Sequence, residues 1–163
     1  MAWVYISLGS NIDREALTRA GVAALRQRFG ELRLSRVYES EAVGFEGENF
    51  YNMVIALQTD EDVHQVAQAL RQIEDDHGRD RSGPRFSSRT LDLDLLLYDE
   101  LQLDEENLQI PRHEILQRAF VLWPLAEIAP DLRHPQAGKS YAELWRAFDK
   151  EKEKLEPIDF SFD

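Results

Sequence analysis

The chain has 163 residues, is 43% hydrophobic, contains no cysteine, and carries 31 acidic against 19 basic side chains, a formal charge of −12. That length and apolar content support one sizeable core. The charge argues against wrapping a nucleic-acid backbone or lying on an anionic membrane, and the missing thiols exclude a disulfide framework, a cysteine nucleophile and a zinc-thiolate site.

The opening MAWVYISLGSN has no basic start and too short an apolar run for a secretory signal. No later run approaches the ~20 apolar residues needed to cross a bilayer. The expectation is a soluble, unprocessed, cytoplasmic protein, one globular domain over 1–156, with a frayed tail at 157–163 where Pro157 breaks a charged stretch.

In chain order, the apolar WVYISL reads as a strand ended by Gly9, and SNID offers Ser10 as the cap of a helix over roughly Arg14 to Phe29. LRLSRVYES reads as a second strand and NMVIALQT as a third, separated by a loop from Gly44 to Asn49. TDED caps a helix from about Asp62 to His77 whose apolar stripe is Val63, Val66, Leu70 and Ile73. LDLDLLLY is a fourth strand. The order β-α-β-β-α-β predicts an α+β fold with a ferredoxin-like core, an antiparallel sheet with its helices in a layered α/β/α arrangement. Beyond it, PRHEILQRAFVLWPLAEIAP reads as a short helix followed by an apolar segment, and SYAELWRAF as a helix with Ser140 and Glu143 forming a capping box.

Two features carry chemistry. The segment GRDRSGPRFSSRT sets Arg79, Arg81, Arg85 and Arg89 against the single Asp80, a basic island in an acidic protein. Arginines on a Ser/Gly/Pro-containing loop suit the capture of phosphate oxygens; the plainer alternative is that they balance Asp75 and Asp76. At the end of that loop, alternation along the strand puts Asp92 and Asp94 on one face and Leu91, Leu93 and Leu95 on the other. Two neighbouring carboxylates repel unless a cation lies between them, and magnesium is the natural candidate because it typically takes one or two carboxylates plus water and phosphate oxygens. Alone the pair could be a solvated strand face. Beside the arginines it reads as half of a site for a magnesium nucleotide. Glu74, rotated toward the inward side of its helix, is open to either an arginine pairing or a ligand contact.

YISLGSN, FYNMVIAL, IEDDHGR, RTLDLDLLLYD, IPRHEI and RAFVLWPLAEIAPDL, in this order, resemble the 6-hydroxymethyl-7,8-dihydropterin pyrophosphokinase family of folate biosynthesis. The resemblance covers nearly the whole chain, and R-T-L-D-L-D is its most specific piece. It implies magnesium-dependent transfer of pyrophosphate from ATP to the hydroxymethyl group of the dihydropterin, with release of AMP. Asp92 and Asp94 would hold two magnesium ions and, with Arg79 and Arg89, form the catalytic set. Arg79, Arg89 and Arg118 would bind phosphate, and Arg81 and Arg85 would lie in a loop that closes over the nucleotide. The pterin would stack between Phe50 and Phe120, with Asn52 and the backbone from Ser40 to Val43 reading its polar edge. Glu74 matches a family carboxylate. Where the family usually has histidine after the proline of IPRHEI, this chain has Arg112 and then His113, both placed with the ATP-binding set; Arg112 can hold a phosphate but cannot give up a proton at neutral pH. The expected partners are small molecules, ATP and the dihydropterin, acting on a monomer. The alternative is a diverged paralogue that binds nucleotide or pterin without efficient transfer.

Overall fold

The computed structural model describes residues 1–42, 47–79 and 89–162. Its main sheet runs in the order β5-β1-β4-β3-β8 through β1 (Ala2–Ser10), β3 (Val37–Ser40), β4 (Phe50–Thr59), β5 (Asp92–Tyr98) and β8 (Leu155–Ile158), with β2 (Leu32–Leu34) also paired to β4. Every pairing is antiparallel. The helices are α1 (Arg14–Phe29), α2 (Val63–Asp76), α3 (Ala119–Ile128) and α4 (Tyr141–Ala147), and β6 (Leu103–Glu105) and β7 (Leu108–Ile110) form a separate hairpin. The fold is therefore mixed α/β around an antiparallel sheet.

Apolar side chains on alternate positions of the central strands feed two buried clusters. Val4, Ile6 and Leu8 join Met53, Ile55 and Leu57, Leu93 and Leu95, and the α1 and α2 residues Val22, Leu25, Val66 and Leu70. Tyr5, Val54 and Ala56 join Leu96 and Leu97, Val121, Leu122 and Leu125 of α3, and Tyr141 of α4. With apolar neighbours on both sides, β1 is buried along nearly its whole length.

Four local expectations are corrected. Ser10 belongs to β1 and does not cap α1: its hydroxyl donates to the carbonyls of Ile12 and Thr90, while Asp13, left-handed at φ 47°, occupies the cap position with no side-chain cap bond. The single strand expected over LRLSRVYES is two, because at Ser35 the hydroxyl accepts from the Val54 amide at 2.9 Å in place of a backbone carbonyl. The apolar segment after IPRHEI is helix α3, preceded by a short 3-10 helix (His113–Leu116). Pro124 lies inside it, which removes only the bond the Phe120 carbonyl would have received. Finally, the tail expected to fray is paired as far as Ile158, opposite Val37, and Phe160 and Phe162 pack against the first cluster. Those apolar contacts outweigh the charge and the proline that marked this stretch as an end.

The capping boxes at Asp62 with Gln65 and at Ser140 with Glu143 form. The first supports α2, which carries Glu74, and the second starts α4.

Candidate functional site

Strand register gathers the predicted residues. On β1, Gly9 pairs with Asp92 on one side and Asn52 on the other, and Ser7 pairs with Asp94 and Val54. Asn52 in turn pairs with Tyr38, and Phe50 with Ser40. Directly paired residues point to the same face, so Asp92, Asp94, Asn52, Phe50 and Ser40 share one face of the sheet. Opposite the two carboxylates stand Gly9 and Ser7, two small residues that are both buried. Gly9 is also hemmed in: a Cβ there would lie 3.3 Å from Asn52 Oδ1 and 3.6 Å from Phe50 Cδ1.

The alternation that places the aspartates does not run the length of β5. Tyr5 pairs with Leu97 but Ile6 with Leu95, so Leu96 is an extra residue, a bulge. Below it Leu93 and Leu95 face the α1/α2 cluster; above it Leu96 and Leu97 both enter the α3 cluster. The Leu96 carbonyl accepts the Arg112 amide at 3.0 Å, which brings the chain after the Ile110–Pro111 bond across the strand beside Asp94.

Each carboxylate has an arginine. Arg79 donates to Asp92 Oδ1 at 2.8 Å and lies 3.5 Å from Glu74 Oε2; Arg112 lies 3.5 Å from Asp94 Oδ1 and donates to Glu114 at 2.8 Å. Burial pushes the Asp94 carboxyl well above the usual carboxylate range, and the Asp92 charge adds to this, with Arg112 opposing both. Burial also disfavours the charges of Arg79 and Arg112, yet their acidic neighbours, Asp92 above all for Arg79 and Asp94 for Arg112, outweigh it and leave both guanidiniums above their ordinary values. The four acids Glu74, Asp92, Asp94 and Glu114 outnumber the two arginines they pair with, an arrangement that can accept a cation.

Glu74 is 6% exposed. Its Oε2 accepts the Leu93 amide at 2.8 Å, between the two aspartates, and faces Arg79. The arginine pairing, one of its two open readings, is present.

Asn52 on β4 donates to the hydroxyl of Ser40 on β3 at 2.6 Å, and both are buried. Phe120 lies on α3 and packs against the second cluster, which also contains Val54. Arg118 precedes α3 and donates to Glu153 at 2.7 Å. His113 is exposed at the start of the 3-10 helix, one residue beyond the Arg112 that reaches Asp94. Arg81, Arg85 and Val43 lie outside the described residues. Among the described residues, no group of three or more His, Asp or Glu side chains is placed to hold a metal.

Several contributors were not singled out by sequence. Asn11 accepts the Arg89 amide at 2.7 Å through Oδ1, donates its own amide to the Arg89 carbonyl at 3.0 Å, and donates Nδ2 to Glu48 O at 3.0 Å. With Ser10 bonded to the Thr90 carbonyl, the GSN triplet at the end of β1 anchors the far end of the arginine-rich segment. Their signal was a Gly-Ser-Asn triplet ending a strand, which reads as punctuation until its partner, 78 residues away, is known. A pocket of about 440 Å³ opens beside this anchor, lined by Asn11, Asp13, Arg14, Glu48 and Tyr51 among others. Glu114 and Glu153 are likewise ordinary surface acids in sequence.

Solved structures share this fold. A Plasmodium falciparum HPPK-DHPS triple mutant, crystallised with pteroate, superposes with a TM-score of 0.74 over 93% of this chain at 13% identity. The present chain spans 44% of that longer one. Curated relatives define the class as pyrophosphokinases: the 2-amino-4-hydroxy-6-hydroxymethyldihydropteridine pyrophosphokinase of Pseudomonas aeruginosa is 42% identical over 150 residues, 88% of this chain and 90% of its own, and that of Bacillus subtilis is 40% identical over 128 residues, 76% of each chain. The family described as 7,8-dihydro-6-hydroxymethylpterin-pyrophosphokinase matches residues 5–130. The chain belongs to that family.

Proposed function

We propose that this enzyme transfers the β,γ-pyrophosphoryl unit of ATP to the hydroxymethyl oxygen of 6-hydroxymethyl-7,8-dihydropterin, releasing AMP, with magnesium held by Asp92 and Asp94. The observation that carries the reading is the shared face of these two carboxylates, with the small residues Ser7 and Gly9 opposite them on β1 and Arg79 and Arg112 beside them. The donor set fits the ion, since magnesium takes one or two carboxylates and fills its octahedron with water and phosphate oxygens. When bound, such ions polarise phosphoryl oxygens and lower the pKa of the attacking hydroxyl.

The chain's own groups bind and orient. Arg79 and Arg89, with Arg81 and Arg85 between them and Arg112, His113 and Arg118 beyond, supply donors for the triphosphate, and Glu74 fixes Arg79 and the Leu93 amide between the two aspartates. Phe50 and Phe120 flank the pterin ring, while Asn52 and the backbone from Ser40 to Val43 meet its polar edge. In transfer, the hydroxymethyl oxygen bonds to the β-phosphorus and the bond from that phosphorus to the α,β-bridging oxygen breaks. AMP leaves with that oxygen, and the hydroxyl proton passes to water. Arg112 acts by charge and hydrogen bonding, since its guanidinium gives up no proton near neutrality. The same reading takes the core as ferredoxin-like, with α1 and α2 on one side of the sheet and α3 on the other, in a single domain that includes β8, working as a cytoplasmic monomer.

The test is AMP formation from ATP, magnesium and the dihydropterin, with Asp94→Ala as the control. AMP and pterin pyrophosphate should appear in equal amounts, and the variant should lose transfer while keeping its fold. Full activity in Asp94→Ala would refute the assignment.

A further inference from the structure

The segment after α4 lies beyond the family match, which ends at residue 130, yet it touches two parts of the site. In β8, Leu155 pairs with Ser40, whose hydroxyl accepts from Asn52. Two residues earlier, Glu153 turns its carboxylate to the start of α3: Oε2 accepts from Arg118 at 2.7 Å and Oε1 from the Ala119 amide at 2.7 Å. The Glu153 side chain is 18% exposed and that of Arg118 33%. The contact is therefore a partly covered, two-pronged clasp, unlike a loose surface pair.

The clasp acts where an unrestrained arginine is least useful. Arg118 stands one residue before α3 and two before Phe120, so its direction is set by the start of that helix. A free arginine side chain samples many rotamers, and binding an anion must freeze them. Holding one of the five guanidinium donors on a carboxylate that is itself fixed by a helix-terminal amide removes part of that cost before any ligand arrives. Anchoring of β8 to β3 keeps Glu153 in reach, since Leu155 is held in register opposite Ser40.

We propose that Glu153 is a positioning residue for nucleotide binding, restraining Arg118 so that its remaining donors meet the phosphates of ATP. This rests on the reading of Arg118 as a phosphate ligand. The experiment measures binding of a non-hydrolysable ATP analogue with magnesium by calorimetry, for the full chain and for Glu153→Gln, Arg118→Ala and the double variant, with the melting temperature of each. Glutamine keeps an acceptor for the Ala119 amide and loses the charge that holds Arg118, so Glu153→Gln should weaken the analogue about three- to tenfold, the scale of ordering one long side chain. In the Arg118→Ala background the same change should have no further effect. A purely structural Glu153 would lower the melting temperature and leave affinity untouched, which overturns the inference while Arg118→Ala still weakens binding. An Arg118→Ala variant of unchanged affinity overturns the phosphate reading of Arg118 and the inference with it. Equal losses from Glu153→Gln with and without Arg118 also overturn it, because the effect would then not pass through that arginine.

Discussion

Replacing Glu74 by alanine tests whether a buried carboxylate behind the site holds the two aspartates apart. Glu74 accepts the Leu93 amide at 2.8 Å and faces Arg79 at 3.5 Å, and its side chain is 8% exposed, that of Arg79 14%. Alanine leaves the Leu93 amide buried without an acceptor, a loss of about 1–3 kcal/mol. The larger penalty of severing a buried ion pair, about 3–5 kcal/mol, is not reached, because Arg79 keeps Asp92 at 2.8 Å. With the volume left by the lost side chain, the destabilisation should be about 3 kcal/mol, or about 6 to 12 °C in melting temperature for a domain of this size. Glu74→Gln, whose amide oxygen can still accept from Leu93, should lose about 1 kcal/mol. Urea unfolding and thermal melts of both variants measure this. A melting temperature for Glu74→Ala within about 2 °C of the unmodified chain would refute the reasoning.

Asn11→Ala removes the clasp on Arg89 and should lower the AMP-forming rate about ten- to a hundredfold, the effect of misplacing a ligand by a fraction of an ångström; steady-state kinetics showing the full rate would remove Asn11 from the site. His134 supplies a pH dependence. Its Nδ1 accepts from the Gln136 and Ala137 amides at 3.1 and 3.0 Å, which needs that nitrogen unprotonated, and burial lowers its pKa below the ordinary 6.5. The unfolded chain therefore binds a proton near pH 6.5 that the folded chain refuses, and stability present above that pH falls as the pH drops through it and on toward the lower folded value. Unfolding free energies between pH 7.5 and 5.5 should fall more steeply for the unmodified chain than for His134→Asn, and equal slopes would contradict the reasoning.

What could be read from sequence was what depends on local period. The bounds of α1, the cap at the start of α2, the Ser140–Glu143 capping box and the shared face of Asp92 and Asp94 follow from spacing within a few residues. What escaped depends on partners far along the chain. No periodicity announces that Leu96 is an extra residue, because it becomes one only against Tyr5 and Ile6. Helix α3 was hidden by Pro124 and by apolar residues on all sides, a pattern that leaves no stripe to detect. Ser10 looked like a helix cap because Ser-x-x-Asp is a local signal, whereas its actual acceptors include the carbonyl of Thr90. Arg118 was visible as a candidate phosphate ligand, but not its clasp by Glu153, an acid in a run of charges that reads as solvent-facing.

The bulge at Leu96 has a bearing on how these molecules behave in a crowd. Strand β5 is one margin of the main sheet, and such margins recruit stray strands from other chains. Here an incoming strand would find its hydrogen-bond ladder broken at Leu96, the Leu96 carbonyl already taken by Arg112, and two aspartates below. At the opposite margin, β8 is four residues long and includes Pro157, which has no amide hydrogen to offer. The irregularity that turns Leu96 and Leu97 toward α3 thus also guards one border of the sheet, so that chains at high concentration have poor footing for stacking edge to edge.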